Sequence, residues 1–530
     1  MSNNYEENKE VTKQLEAIFD KLDEVCHNSE ISRTDAFNEQ VIYILFARLL
    51  GRLDMKKSLF VDDLKHLKWD HILNSSSEEQ MRLINGLPTR EEQEKWETCP
   101  WMNMFQFFRS GLKNTYLKGI ASCFQEVECR ITNPSILSEI IKCVDEMPID
   151  KELLLPLYNL VSVVAKVKSN RVELNTIFSE VIAMSPFIDL IPDLVAGHVG
   201  PSSNEIVCDP ACSNGILLTK VAQRLASRNE KPGESQIQCF SFDSDIFSAK
   251  LAAIYAVFNA IKSDETIDFT INCINPLDRQ SKVYINHANY FDKVVVIPPF
   301  GSFLDTEIVP DELDLFAKIH RSEILYLGLT EHILKPEGLG VVCMPSINLV
   351  GSKTKGIREQ LVEHNQLEAV IFFTAFGMEH ALLVFKKDGT TDNVLFYKIK
   401  QEEREKEERE KEEREKEERE EEEREEEERE KESRKELNEA ISAFLDAWKE
   451  WQSTPNLKNF EDRKSEKFYV PKDEIVSQQY ILAFEKYHVV NYSPSDSPKL
   501  NDILDQLNQD EEDIKGYLKQ LNQNLRKKNV

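Results

Sequence analysis

No CxxC pair occurs in this chain, whose ten cysteines stand singly between Cys26 and Cys343. Paired spacing is what a zinc site or a disulfide frame requires, so neither is expected, and a reducing compartment fits. HxxxH spacing is missing as well, and no metal is expected. The GxSxG frame of a hydrolase nucleophile turn is absent. Long apolar runs are lacking: LLLPLYNLVSVVAKV from Leu153 is too short to cross a bilayer and is broken by Pro156. MSNNYEENKE, at the start, has neither the basic residues nor the apolar stretch of a signal peptide. The expectation is a soluble cytoplasmic protein with no membrane attachment. Positive charge is also scarce, with 66 Lys and Arg against 94 Asp and Glu, a net charge of −28. Residues 401–436 hold 22 Glu and 12 Lys or Arg, so they carry −10 and leave −18 for the remainder. A protein that grips phosphates alone shows a basic stripe; here a nucleic acid would be held with a partner's help.

What is present suffices for a large core: 530 residues, 41% apolar and 9% aromatic, enough for roughly three or four units. Residues 1–170 read as a helical domain. Leu15, Ile18, Phe19, Leu22 and Val25 recur at helical spacing, as do Phe37, Val41, Ile44, Leu45 and Leu49 behind a cap at Thr34 or Asp35. The aromatics of WETCPWMNMFQFF (Trp96, Trp101, Phe105, Phe107, Phe108) form either a core cluster or a stacking platform, and helical surroundings favour the core.

From 171 to 400 short apolar runs alternate with helical patterns, the mark of βαβ units around a mostly parallel, open, doubly wound sheet. The spacing predicts strands at Glu205–Cys208, Ile237–Phe242, Phe269–Ile271, Val294–Ile297, Gly340–Met344, Ala369–Phe372, Leu382–Phe385 and Val394–Tyr397, with helices at Ile216–Ser227, Phe247–Ile261 and Lys355–His364. Residues 401–436 repeat Arg every five positions, with pairs such as Glu405 and Arg409, and have no apolar seam. They form an isolated charged helix, about 54 Å long, or a disordered spacer. Residues 437–530 read as a C-terminal helical segment. Its amphipathic tail from Lys499 packs on its own domain or docks another subunit.

Chemistry concentrates in two turns. In EIVCDPACSNGIL an apolar strand ends in Asp209 and small residues lead straight into a helix, the arrangement by which open sheets bind nucleotides. The next strand ends in Asp243, where an acid can accept hydrogen bonds from ribose hydroxyls. Asp209 to Gly215 resembles the DPACGSG motif of amino-group DNA methyltransferases, with Ser213 where a glycine is usual. FDKVVVIPPFG resembles their FDvVlaNPPFG segment, with Ile297 in place of Asn. MSPFIDLIPDLV resembles a Thr-Pro segment that closes over the cofactor, and HILKPEGLGVVCMPSINLVGSKTKGIREQL, which includes Arg358, resembles the segment after the catalytic motif. KFYVPKDEIVSQQYILAFEKYHVV is similar to a segment near the C-terminus of the modification subunits of type I restriction-modification systems.

The likeness spans about 80% of the chain. It implies an N(6)-adenine DNA methyltransferase: an S-adenosylmethionine-dependent, Rossmann-like α/β sheet with an N-terminal helical domain and C-terminal helices. It also implies S-adenosylmethionine held by Ser185, Pro186, Asp209, Ala211, Gly215, Asp243 and Asn275, and a catalytic turn of Ile297, Pro298, Pro299 and Phe300. Implied partners are double-stranded DNA, a specificity subunit that reads the sequence, a restriction subunit as a further member, and two copies of this chain per complex. In the family the Asn side chain and the following carbonyl accept hydrogen bonds from the target amino group while the aromatic stacks on the flipped base. Ile297 offers no acceptor, so the second expectation is a catalytically degenerate subunit that keeps a structural or DNA-clamping role.

Overall fold

The computed structural model describes residues 2–148 except 30, 32–33, 61, 91 and 93–100; 190–399 except 199–204, 228–236, 263–266, 303–307 and 376–377; and 419–489 except 454–456. Ser185, Pro186, Trp96, the run from Leu153, residues 401–418 and the tail from Lys499 lie outside the described residues. Among the described residues no helix is long and apolar enough to cross a membrane.

Among the described residues nine strands form one sheet in the order β3-β2-β1-β4-β5-β7-β6-β8-β9. They are β1 Ile206–Asp209, β2 Ile237–Asp243, β3 Ile267–Cys273, β4 Phe291–Val296, β5 Leu334–Pro345, β6 Asn365–Ala375, β7 Met378–Lys387, β8 Asn393–Lys398 and β9 Lys467–Pro471. Pairing is parallel from β3 to β5 and between β6 and β8; β7 runs antiparallel to both its neighbours, and β9 is antiparallel to β8. All eight predicted strands are present. The central strands are buried on both faces, which is why they read as continuous apolar runs and not as alternation.

β9 differs from the expected all-helical C-terminal segment. KFYVP alternates half-buried and buried residues and ends in a proline, a pattern that suits an edge strand and means little without its neighbour. Arg358 ties this segment to the sheet: its guanidinium donates to the Tyr480 carbonyl at 2.6 Å, the Gly351 carbonyl at 2.8 Å and Thr354 Oγ1 at 2.7 Å. Helix Arg419–Ser453 runs unbroken from the charged stretch into a half that covers the sheet. There Phe444 sits 4.8 Å from the Tyr397 ring and Trp448 is buried.

The N-terminal helices pack on the β3 side of the sheet. Helix Thr34–Lys57 is buried continuously from Gln40 to Gly51 and shares one core with helix Ile246–Lys262, through Phe37, Val41 and Leu45 on one side and Ala253, Ile254 and Val257 on the other. A helix buried all round sits at the centre of its unit. Phe105, Phe107 and Phe108 belong to that core, so the aromatic cluster is packing and not a platform. Lys250 crosses this boundary, donating to Tyr43 Oη at 2.6 Å and Glu39 Oε1 at 3.2 Å. Gly119 permits the close approach to β3, because a Cβ there would lie 2.2 Å from the Phe269 carbonyl oxygen.

One charge sits in the middle of the sheet. Lys293 on β4 is 1% exposed, pairs with Glu205 at 2.9 Å and donates to the His198 carbonyl at 2.8 Å. Removing one partner strands the other in a low dielectric. Lys293→Ala is therefore expected to destabilise the protein by about 3–5 kcal/mol in urea unfolding, whereas replacing an exposed lysine such as Lys142 should change stability by less than about 1 kcal/mol.

Candidate functional site

The chain winds from β1 outward to β3 and then returns to β4 on the other side of β1. The carboxyl ends of β1 and β4 therefore lie at the point where the strand order reverses, the place at which open sheets of this kind take their ligands. Asp209 ends β1, Asp243 ends β2, and Ile297 follows the last residue of β4. All three sit at one edge of the sheet.

The loop after β1 is shaped by its own hydrogen bonds. Asp209 Oδ1 accepts from the Ala211 amide at 3.1 Å, and the Cys212 amide donates to the Phe242 carbonyl at 3.2 Å. The Ser213 amide donates to Asp243 Oδ2 at 2.9 Å. These contacts draw the loop over the end of β2. Ser213 has φ +46° and Gly215 φ +77°, so the turn passes twice through the left-handed region before helix Ile216–Ala226 begins. Gly215 is required twice over, since a Cβ there would also lie 2.8 Å from the Ala252 methyl.

Asp243 Oδ1 accepts from the Asp245 amide at 2.8 Å, so each of its oxygens is already held by the backbone. Asp245 acts on the next element instead, where its carboxylate accepts from the Ser248 amide at 2.9 Å and the Ser248 hydroxyl at 2.8 Å, capping the helix that follows. Burial pushes the Asp209 carboxyl up to about 8, with the neighbouring Asp243 charge adding to the effect. Burial likewise pushes Asp243 up to about 6. Tyr326, on helix Ser322–Ile333, lies close enough for both carboxylates to act on it; burial and their charges push its hydroxyl pKa up. Asn275 stands two residues beyond β3 and uses Oδ1 to accept from the Leu277 amide at 3.0 Å in a tight turn.

The turn after β4 is held from behind. Ser322 donates its hydroxyl to the Pro299 carbonyl, and the Gly301 amide donates to Glu323 Oε2 at 3.0 Å. Glu323 is fully buried, accepts from Asn348 Nδ2 at 3.2 Å and lies 3.6 Å from Arg321. Ile297 and Phe300 are each 6% exposed and belong to the core cluster on one sheet face, and Pro298 is buried beside them. The Phe300 ring rests against His380 at 5.4 Å between centroids.

Among the loops that follow β4 and β5 lies a groove of about 570 Å³ lined by Leu315, Lys318, Ile319, His320, Lys353, Gly356 and Ile357. Its basic side chains come from the loops after β4 and β5. From Gly338 to Arg358 the chain has no acidic residue.

Asp209, Ala211 and Asp243 thus stand together with Gly215 ending their turn, Asn275 follows β3 on the far side of β2, and Ile297 to Phe300 follow β4, the other neighbour of β1. Sequence reading did not identify Ser322, Glu323, Tyr326 or His380. RSEIL reads only as the start of a helix, and nothing local signals that its acid reaches back to Gly301. Among the described residues no cluster of His, Cys, Asp and Glu forms a metal-binding set.

A family model described as N-6 DNA Methylase matches residues 187–494. Among solved structures, a chain described by complex assembly and conformational transition of the type I R-M system is 16% identical, with 98% of each chain covered and a TM-score of 0.53. The type I restriction-modification methyltransferase subunit from Streptococcus thermophilus is 13% identical, with 90% of this chain and 100% of that chain covered and a TM-score of 0.50. At such identities the likeness is one of fold.

The raised carboxyls set a pH dependence. A group whose folded pKa lies above its unfolded value stabilises the fold at low pH and loses that contribution as pH rises through the folded pKa. Stability of the unliganded chain is thus expected to fall between about pH 4 and pH 8 through Asp209 and Asp243. Asp209→Asn, which keeps an acceptor for the Ala211 amide, should flatten that fall and raise Tm at pH 8 by roughly 2–4 °C in calorimetry. An unchanged profile would contradict the burial argument.

Proposed function

The chain belongs to the N-6 DNA methylase family, and on that footing we propose that it is the modification subunit of a type I restriction-modification system. In this reading it transfers a methyl group from S-adenosylmethionine to N6 of adenine in double-stranded DNA, the methyl–sulfur bond breaking as the methyl–nitrogen bond forms and one amino proton passing to solvent. The observation that carries the reading is the cluster at the strand reversal: a buried and a half-buried carboxyl side by side and a left-handed glycine turn, one strand from the IPPFG turn.

The residues fit the cofactor. Asp209 is 1% exposed and accepts one hydrogen bond among the described residues, from Ala211, so a cationic or donating ligand group suits it. Each oxygen of Asp243 can accept a second hydrogen bond beyond its backbone donor, which matches a pair of ribose hydroxyls. The turn from Asp209 through Ala211 to Gly215 would hold the amino-acid end, Asp243 the ribose and Asn275 the adenine edge. Ser185 and Pro186 would close over them. Bound there, S-adenosylmethionine supplies an electrophilic methyl group.

The chain's own residues bring a nucleophile in line with that methyl. The Pro298 carbonyl accepts a hydrogen bond from the target amino group and keeps its lone pair directed forward, while the Phe300 face stacks on the extruded base. Ile297 walls the turn with apolar surface and excludes water. Ser322 and Glu323 hold the turn's backbone in register without touching substrate. The acidic chain does not read DNA by itself: a specificity subunit does so, two copies of this chain clamp around the duplex, and a restriction subunit completes the assembly in the cytoplasm. Lys318 and Lys353 in the groove supply local positive charge for the DNA backbone.

Titration calorimetry and radiolabelled methyl transfer test this. Asp243→Ala is expected to weaken S-adenosylmethionine binding at least tenfold, about 1.4 kcal/mol. In complex with the specificity subunit the parent chain should methylate DNA, and Ile297→Asn should raise the rate roughly tenfold to a hundredfold. Cofactor binding without any methyl transfer by the assembled parent would overturn the catalytic reading.

A further inference from the structure

Ile297 leaves the IPPFG turn without a side-chain acceptor, yet the same sheet face holds a buried acceptor two strands away. β7 runs antiparallel to β5, so its first residues lie at the carboxyl edge, where His380 pairs with Pro345 of β5 and Phe373 of β6. Leu382 and Val384, alternate residues on β7, join the core cluster that contains Ile297 and Phe300, which puts His380 on their side of the sheet. Its ring lies 5.4 Å from the Phe300 ring and 5.7 Å from the Phe373 ring.

His380 is fully buried. Nδ1 sits 3.0 Å from the Met378 carbonyl oxygen, a contact that a ring nitrogen makes only as a donor. The proton is thereby assigned to Nδ1, and Nε2 carries the lone pair. Nε2 has no hydrogen-bond partner among the described residues. Burial lowers the imidazole pKa from its ordinary value, so the ring is neutral at pH 7. An unsatisfied acceptor inside a core is unfavourable unless something donates to it. A histidine kept only for packing gains nothing from that nitrogen.

We infer that His380 Nε2 accepts a hydrogen bond from the exocyclic amino group of an extruded adenine, supplying the acceptor absent at Ile297 and selecting 6-amino purines. This rests on the base-methylating reading above. Phe300 lies against the imidazole, so access of a base to Nε2 requires that ring to turn aside, and this movement belongs to the inferred role.

The test compares two DNA strands bound by the full-length chain in complex with the specificity subunit and S-adenosylhomocysteine, each strand in a duplex carrying that subunit's target with the position to be methylated opposite an abasic site. One has adenine at that position; the other carries unsubstituted purine, which lacks the amino group. Fluorescence anisotropy of the parent should show about tenfold tighter binding of the adenine strand. His380→Phe keeps an aromatic ring in the core but removes the acceptor, and should bring the two affinities together. His380→Gln, which restores an acceptor, should recover part of the preference. His380→Leu serves if the Phe variant does not fold. Equal binding by the parent, no binding of either strand, or a tenfold preference that survives in His380→Phe would each overturn the inference. A parent that prefers adenine but transfers no methyl group would sink the methylation reading and leave the role of His380 standing.

Discussion

The return of the chain from β3 to the far side of β1 is the constraint on which the site depends. Parallel strands require crossovers, and crossovers of one hand lead successive units away from β1 in opposite directions. Two loops therefore leave the same edge in opposite senses, from β1 and from β4. The place between them needs no further specification. It is a consequence of strand order, and the residues at its rim are whichever ones end those strands: Asp209, Asp243 and Ile297.

On that scaffold, acidic side chains do most of the positioning. Asp243 pulls the Ser213 amide across from the neighbouring strand, Glu323 holds the Gly301 amide, and Asp245 caps a helix. Each carboxylate accepts from the backbone, so the loops are held without an opposite charge at every position. The cost appears at Asp209 and Asp243, whose pKa values burial raises. A site with one carboxyl buried and a second half-buried beside it is poised for ligand groups that donate hydrogen bonds. This excess of acid also belongs with a chain of net charge −28, against which the groove lined by Lys318 and Lys353 stands out.

The helical N-terminal unit and the C-terminal segment are joined to the sheet by different means. Lys250, Tyr43 and Glu39 form a polar contact inside an otherwise apolar boundary, which specifies how the two surfaces register. Arg358 makes several bonds to carbonyl and hydroxyl oxygens and anchors the segment that follows β9. Both are long, cationic side chains with apolar stems, able to cross a core boundary and still be satisfied.

Local chemistry in the chain was enough for the elements whose signal is short-range. Apolar runs of three to six residues marked eight strands, the Asp-to-Gly turn marked the first loop, and the spacing of acids at strand ends located Asp209 and Asp243. Those features depend on backbone propensity and on burial of both faces, which a linear pattern records. Three things depended on distant partners and left no such record. β9 is a strand because β8 offers it an edge. Glu323 is a turn-holding residue because Gly301, 22 positions earlier, comes within 3.0 Å. His380 meets Phe300 because an antiparallel strand returns to the edge from which the parallel ones leave. Pairing energy of that kind resides in neighbours brought together by folding, and no window of consecutive residues contains it.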